Sequence, residues 1–182
     1  PNTTYYVWVR SKCIGTDTSL WMPGPSFTTQ QIPANFPYIQ PFNGTVNDFT
    51  FVGNTANKWV QGTATGNPAN SMYVSDDNGV SNNYTYTTTV AHAYRDINIP
   101  AGLGNFIFEF DWKSEGEGNW DNLQVWLAPT TFVPTNGTAI ATGGGRVQVG
   151  GNHIGQNTWQ TFSDQSFPVP GFIPAAGGVM RL

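Results

Sequence analysis

Along most of the chain, apolar and polar positions alternate with a period of two, and the clearest run is residues 105–129, NFIFEFDWKSEGEGNWDNLQVWLAP. Phe106, Phe108, Phe110 and Trp112 alternate with Ile107, Glu109, Asp111 and Lys113. Only a strand turns that period into one aromatic face and one mostly polar face. The eight residues 114–121 hold two glycines and three carboxylates, after which Leu123, Val125 and Leu127 resume the alternation. The pattern predicts a hairpin of two strands joined by an acidic loop. The same period, punctuated by Gly and Asn turns, predicts further strands at 48–52, 58–62, 71–75, 91–99, 146–149, 158–162 and 179–182.

The N-terminal part follows the same rule. Tyr5, Val7 and Val9 alternate with Tyr6, Trp8 and Arg10 in a strand that runs to Cys13. The turn IGTDTS, Trp21, a Pro-Gly-Pro bend and a short strand at 26–29 come next. Residues 30–41, QQIPANFPYIQP, carry three prolines and little periodicity, as a semi-rigid linker would. The expected organisation is therefore 1–29, a linker at 30–41, and a main domain at 42–182. Strands without a credible helix predict an all-β protein, with the main domain an antiparallel two-sheet jelly-roll sandwich. Both ends read as strands in progress, so the expectation is a piece of a longer polypeptide whose neighbours cover the sheet edges left open.

Two resemblances rest on these runs. YYVWVRSKCIGTDTSLWMPGPSFTT, residues 5–29, resembles the last two strands of a fibronectin type III domain. After the linker, the Trp strand Lys58-Trp59-Val60, SMYVSDDNG, AHAYRDINIPAG and FEFDWKSEGEGNWDNLQVWLAPTTFVP occur in an order similar to the jelly-roll modules of the gingipain-type cleaved adhesin and MAM class. Such modules occur beside fibronectin type III repeats in large surface proteins of Bacteroidetes bacteria. The resemblance implies a secreted or cell-surface location, export by the type IX pathway, and a structural calcium ion at a position it does not fix.

Composition narrows the partners. Charged residues are 10% and aromatic residues 14% of the 182, with a net charge of −4 and only seven Lys and Arg. No basic cluster offers a footprint for nucleic acid or an anionic membrane, and no apolar run has the length of a membrane span. Cys13 is alone and forms no intrachain disulfide. Asn-x-Ser/Thr sequons at Asn2, Asn43, Asn83 and Asn136 matter only in a eukaryotic secretory host.

Candidate chemistry centres on the acidic run Glu109, Asp111 and Glu115. Retaining laminarinase-type glycosidases use a jelly roll with carboxylates projecting from one strand, about 5 Å apart. Here the third carboxylate falls one residue further along, in the loop, and His92 and His153 stand far apart, so the chain is expected to be non-catalytic. Calcium would be held by oxygen-rich turns, and Asp76-Asp77-Asn78-Gly79 and the loop 115–121 are the two such turns. Trp120 lies on that loop, and Trp126 is opposite in parity to Leu123, Val125 and Leu127. If strands 105–113 and 122–128 pair, Trp126 emerges near Glu109 or Asp111. Together with the carboxylates these tryptophans would form a platform for sugar rings, unless a neighbouring loop covers them. Asp121 is placed to bond loop N–H groups. Arg95 shares a side with Ala91, Ala93 and Ile97 and needs a carboxylate partner, for which Asp111 or Glu109 would serve. The glycine-rich tract 141–151 precedes a strand, so it reads as a flexible hairpin instead of a phosphate cradle.

The resulting expectation is a non-catalytic adhesion or carbohydrate-binding module, recognising a surface glycan or a partner protein. The alternatives are a structural spacer completed by neighbouring strands and a laminarinase-like hydrolase.

Overall fold

A computed structural model describes residues 4–44, 47–53, 56–118 and 120–182. The sequon Asn2 falls outside these. All regular structure among the described residues is β, so none of it is a helix able to cross a membrane. The chain divides into two compact units, 1–32 and 33–182.

The first unit is a pair of antiparallel ribbons, β1 (Thr4–Tyr5) with β4 (Phe27–Thr28) and β2 (Trp8–Val9) with β3 (Met22–Pro23). A bridge between Lys12 and Thr18 and the bond from Cys13 N–H to the Asp17 carbonyl close the turn. Tyr5 stacks on Phe27 at 5.4 Å, and the Arg10 guanidinium lies 4.6 Å above the Trp21 ring. Tyr5, Tyr6, Trp8, Trp21, Met22 and Phe27 are all exposed, and Cys13 is an exposed thiol.

The second unit opens inside the expected linker. β5 (Ala34–Asn35) pairs in parallel with part of β10 (Asp96–Ile99), and Phe36 meets Phe106 edge-on at 6.1 Å. The prolines interrupt the alternation, while Phe36 and Tyr38 between them anchor the segment on the core. Then follow β6 (Thr50–Val52), β7 (Lys58–Gly62), β8 (Ser71–Ser75) and β9 (His92–Tyr94) before β10. The remaining strands are β11 (Asn105–Ser114), β12 (Leu123–Pro129), β13 (Val147–His153), β14 (Gln156–Pro168) and β15 (Gly178–Arg181). The largest sheet has the order β13-β12-β15-β10-β5, and β11-β14, β6-β9 and β7-β8 form two-stranded ladders.

The pairing departs from the expected hairpin. β11 pairs with β14, whereas β12 lies between β13 and β15 in the five-stranded sheet. The acidic loop after β11 therefore carries the chain from one sheet to the other. The reason lies in β14, whose Phe162 and Phe167 stand opposite Phe110 and Phe106 and complete the aromatic face. Phe110 stacks on Phe162 at 5.1 Å, and Phe106 and Phe108 each lie 5.6 Å from Phe167. That face packs onto Ile97, Ile99, Leu127, Val149 and Met180 of the five-stranded sheet. Leu127, fully buried, sits at the centre, and truncating it to alanine would cost about 2–5 kcal/mol.

The expected strand at 91–99 is also two strands. Arg95 exchanges both backbone hydrogen bonds with Leu182, and at this residue the chain passes from the β6-β9 ladder into the five-stranded sheet. Inside β13, Gly150 and Gly151 adopt φ of 68° and 75° and form a bulge. This glycine pair is a built irregularity within a strand, not a flexible hairpin.

Candidate functional site

The outward face of β11 presents Ile107, Glu109, Asp111 and Lys113, because Phe106, Phe108 and Phe110 of the alternating set face the core. Antiparallel pairing sets Glu109 opposite Ser163 and Asp111 opposite Thr161. Thr161 donates its hydroxyl to Asp111 Oδ1 at 2.6 Å, and Asn67 donates its amide to Oδ2 at 2.8 Å. Asn67 comes from the connection between β7 and β8, far away in sequence, so two neutral donors hold the carboxylate in a fixed orientation. Each Asp111 oxygen keeps a second lone pair for a further donor. Trp159, half-buried, lies two residues before Thr161, at the end of the ladder where the register between β11 and β14 shifts. The result is an exposed array of carboxylate, hydroxyl and amide groups carried on a rigid two-stranded ladder.

Glu115 lies past the end of β11, where its carboxylate is 3.7 Å from the Lys113 ammonium. The tryptophans separate. Trp120 is 79% exposed on the loop, its backbone N–H bonded to the Glu117 carbonyl. Trp126 is only 8% exposed and sits in the other sheet, donating its indole N–H to Gln124 Oε1 at 3.1 Å. The expected approach of Trp126 to Glu109 or Asp111 fails because β11 and β12 do not pair. Parity places Trp126 on the outward side of its sheet, opposite Leu127 and Val125, but burial removes its ring as a stacking surface.

Asp121 organises the acidic loop. Its Oδ2 accepts the Glu117 N–H at 2.9 Å and the Tyr84 hydroxyl at 3.0 Å, and Tyr84 also reaches the Glu115 carbonyl. Burial, and then the bond to the Asp121 carboxylate, push the Tyr84 phenol up to about 12. The other acidic turn is organised differently. Asp77 accepts the Ser75 and Ser81 hydroxyls and the Ser81 N–H, and these bonds hold its carboxyl down at about 2. Both Asp77 oxygens are thus engaged in closing their own turn. Among the described residues, no three His, Cys, Asp or Glu side chains gather as a cation site.

Comparisons with protein-family models, curated proteins and solved structures return no match.

Arg95 does not meet Asp111 or Glu109. Its guanidinium lies 5.7 Å from the Tyr38 ring, in a group where burial, and then the Asp48 charge, push the Tyr38 phenol up. The chain leaves its ladder at Arg95, so the parity that aligned it with Ala91, Ala93 and Ile97 ends there. The next residue forms a buried ion pair: Asp96 accepts Arg181 Nε at 2.7 Å and Nη2 at 2.8 Å, a bidentate geometry. Arg181 also donates to the Phe132 carbonyl at 2.7 Å and lies 4.0 Å above the Tyr94 ring.

Sequence reasoning missed this pair, together with Asn67 and Thr161. The signal for Arg181 is a cation inside the apolar run GVMRL. For Thr161 it is the run Thr161-Phe162-Ser163, an aromatic residue flanked by two hydroxyl residues. His153 is caged by Phe110, Trp112 and Phe162 with ring centroids 5.3, 4.8 and 5.9 Å away, and burial pushes its imidazole pKa down.

Proposed function

We propose that the chain is part of a non-catalytic carbohydrate-binding or adhesion module of a large secreted or cell-surface bacterial protein. In this reading 33–182 belongs to a jelly-roll sandwich of the cleaved adhesin and MAM class, and the N-terminal ribbons close a fibronectin type III-like domain. The observation that carries the binding role is Asp111, exposed on an outward sheet face and oriented by Asn67 and Thr161. An acceptor held by neutral donors beside Glu109 and Ser163 suits sugar hydroxyls, which need directed acceptors. Trp120, exposed on the loop that leaves β11, adds an aromatic edge at the end of the strand. A calcium ion, if one is bound, would take a structural part outside this face.

A second reading, a spacer or assembly domain, has its own support in the N-terminal ribbons. Isolated two-stranded hairpins are marginal in water, and these keep Tyr6 and Trp8 more than half exposed, at 76% and 56%. A neighbouring domain or chain that covered them would complete that unit.

Affinity electrophoresis and thermal unfolding against a panel of neutral and acidic polysaccharides, with calcium and with chelator, test the choice. The binding reading expects one polysaccharide to retard the protein and to raise its unfolding midpoint by mass action. In that case Asp111→Ala abolishes the retardation. If no polysaccharide retards or stabilises the protein, the binding role is wrong and the spacer reading takes its place.

A further inference from the structure

On the other sheet, the bulge at Gly150 and Gly151 gathers a group of amides. Gln124 stands opposite Asn152 and Trp126 opposite Gln148, so positions of β13 that an undistorted strand would put two apart lie four apart. Asn152 consequently folds back toward Gln148. Its Oδ1 accepts Gln148 Nε2 and Gln124 Nε2, both at 2.9 Å, while Gln124 Oε1 accepts the Trp126 indole N–H at 3.1 Å. All four side chains lie opposite Leu127 and Val149, on the outward face of the sheet. Gln124 and Gln148 are half-buried and Asn152 is exposed. The buried indole fixes one end of the network, and each amide bond fixes the next.

The network leaves specific capacity. The Asn152 Nδ2 hydrogens, the Gln148 Oε1 and the second hydrogen of each glutamine amide have no partner among the described residues. Donors and acceptors therefore alternate over the small area formed by these three amide side chains, none of which carries a charge. A vicinal diol has the same alternation, since every hydroxyl both donates and accepts. Bulges serve to re-aim side chains next to binding sites, and this one depends on glycine. A Cβ at Gly150 would run into the Phe162 ring and His153, so both the conformation and the space there demand glycine.

We propose that Gln124, Gln148 and Asn152 form a second carbohydrate subsite, specific for the hydroxyls of an uncharged glycan chain. It lies on the sheet opposite the Asp111 face and is independent of it.

Side-chain amide resonances of the full chain, assigned with Gln148→Ala and Asn152→Ala, would be followed during titration. The probes are cello-, xylo- and mannohexaose, with an oligogalacturonate as the acidic control. The expected result is a saturable shift of the Gln124, Gln148 and Asn152 amides with one neutral hexaose at millimolar concentration. Asn152→Ala should weaken that binding about tenfold, the loss of one or two hydrogen bonds, and Asp111→Ala should leave the amide shifts in place. Shifts confined to Asp111, Thr161 and their neighbours would overturn the second subsite and leave the first reading standing. Amides that stay unmoved by all three neutral hexaoses, or move only with the acidic one, would overturn it as well, even if Asn152→Ala fails to fold.

Discussion

Removing the Asp96 carboxylate strips the buried Arg181 guanidinium of its counter-charge. Both partners of the Asp96–Arg181 pair keep only 10% side-chain exposure, and the guanidinium makes its two carboxylate bonds at 2.7 and 2.8 Å. Asp96→Ala leaves that cation buried with the Phe132 carbonyl and the Tyr94 ring as its other polar and aromatic partners. Removing one partner of a buried pair costs about 3–5 kcal/mol, because the survivor stays desolvated and uncompensated. The site also joins β10 to β15, directly beside the core residues Ile97 and Met180. Urea unfolding followed by far-ultraviolet circular dichroism would measure the loss, with the midpoint moving and the slope unchanged. Asp96→Leu combined with Arg181→Met should recover most of it, since two apolar side chains of similar size carry no desolvated charge. A loss below about 1 kcal/mol for Asp96→Ala, in the range of exposed ion pairs, would refute the argument.

Three further outcomes follow from the same geometry. His153 has its pKa lowered by burial in the aromatic cage, so the unfolded chain binds the extra proton first. Stability should then fall as pH drops below about 6.5, the unfolded histidine value, and the contribution should level off below the folded pKa. His153→Phe should remove that slope in urea titrations between pH 7.5 and 5.5, and an unchanged slope would contradict the assignment. Gly150→Ala should destabilise the protein by more than Gly151→Ala. Both residues hold positive φ, which alone costs a Cβ-bearing residue about 1–2 kcal/mol, but only Gly150 faces Phe162 and His153. Equal losses in thermal melts would contradict the crowding. Tyr84→Phe should cost about 0.5–1.5 kcal/mol through loss of the bonds to Asp121 and Glu115. It should also speed amide exchange at Glu117, and unaltered exchange would show that Asp121 holds the loop alone.

Strand positions were readable to different degrees, and the differences have causes. β7 and β8 span the residues that alternation and turn signals predict, because each is bounded by Gly, Asn or Ser clusters. β11 was readable for the same reason, through its Phe-x-Phe-x-Phe run. Its partner was not, because alternation states which face a residue takes and says nothing about which strand lies alongside. The aromatic complement on β14 selects the pairing, and that complement is some fifty residues away. Arg95 shows a second limit: parity holds only while a strand continues, and here the strand ends at the residue in question. Trp126 shows a third, since its outward side was legible whereas its burial depends on tertiary neighbours. Glu109 and Asp111 reach an exposed face as the pattern implies, but Asn67 and Thr161, which orient Asp111, become visible only once distant segments meet.

The central claim is that the outward face of the β11–β14 ladder takes a glycan. Mapping backbone and side-chain amide shifts of the labelled protein with the polysaccharide fragment that retards it most tests this directly. Shifts clustered at Asn67, Glu109, Asp111, Thr161 and Ser163 are the expected result. Shifts confined to the N-terminal ribbons, or none on this face at saturating glycan, would contradict it.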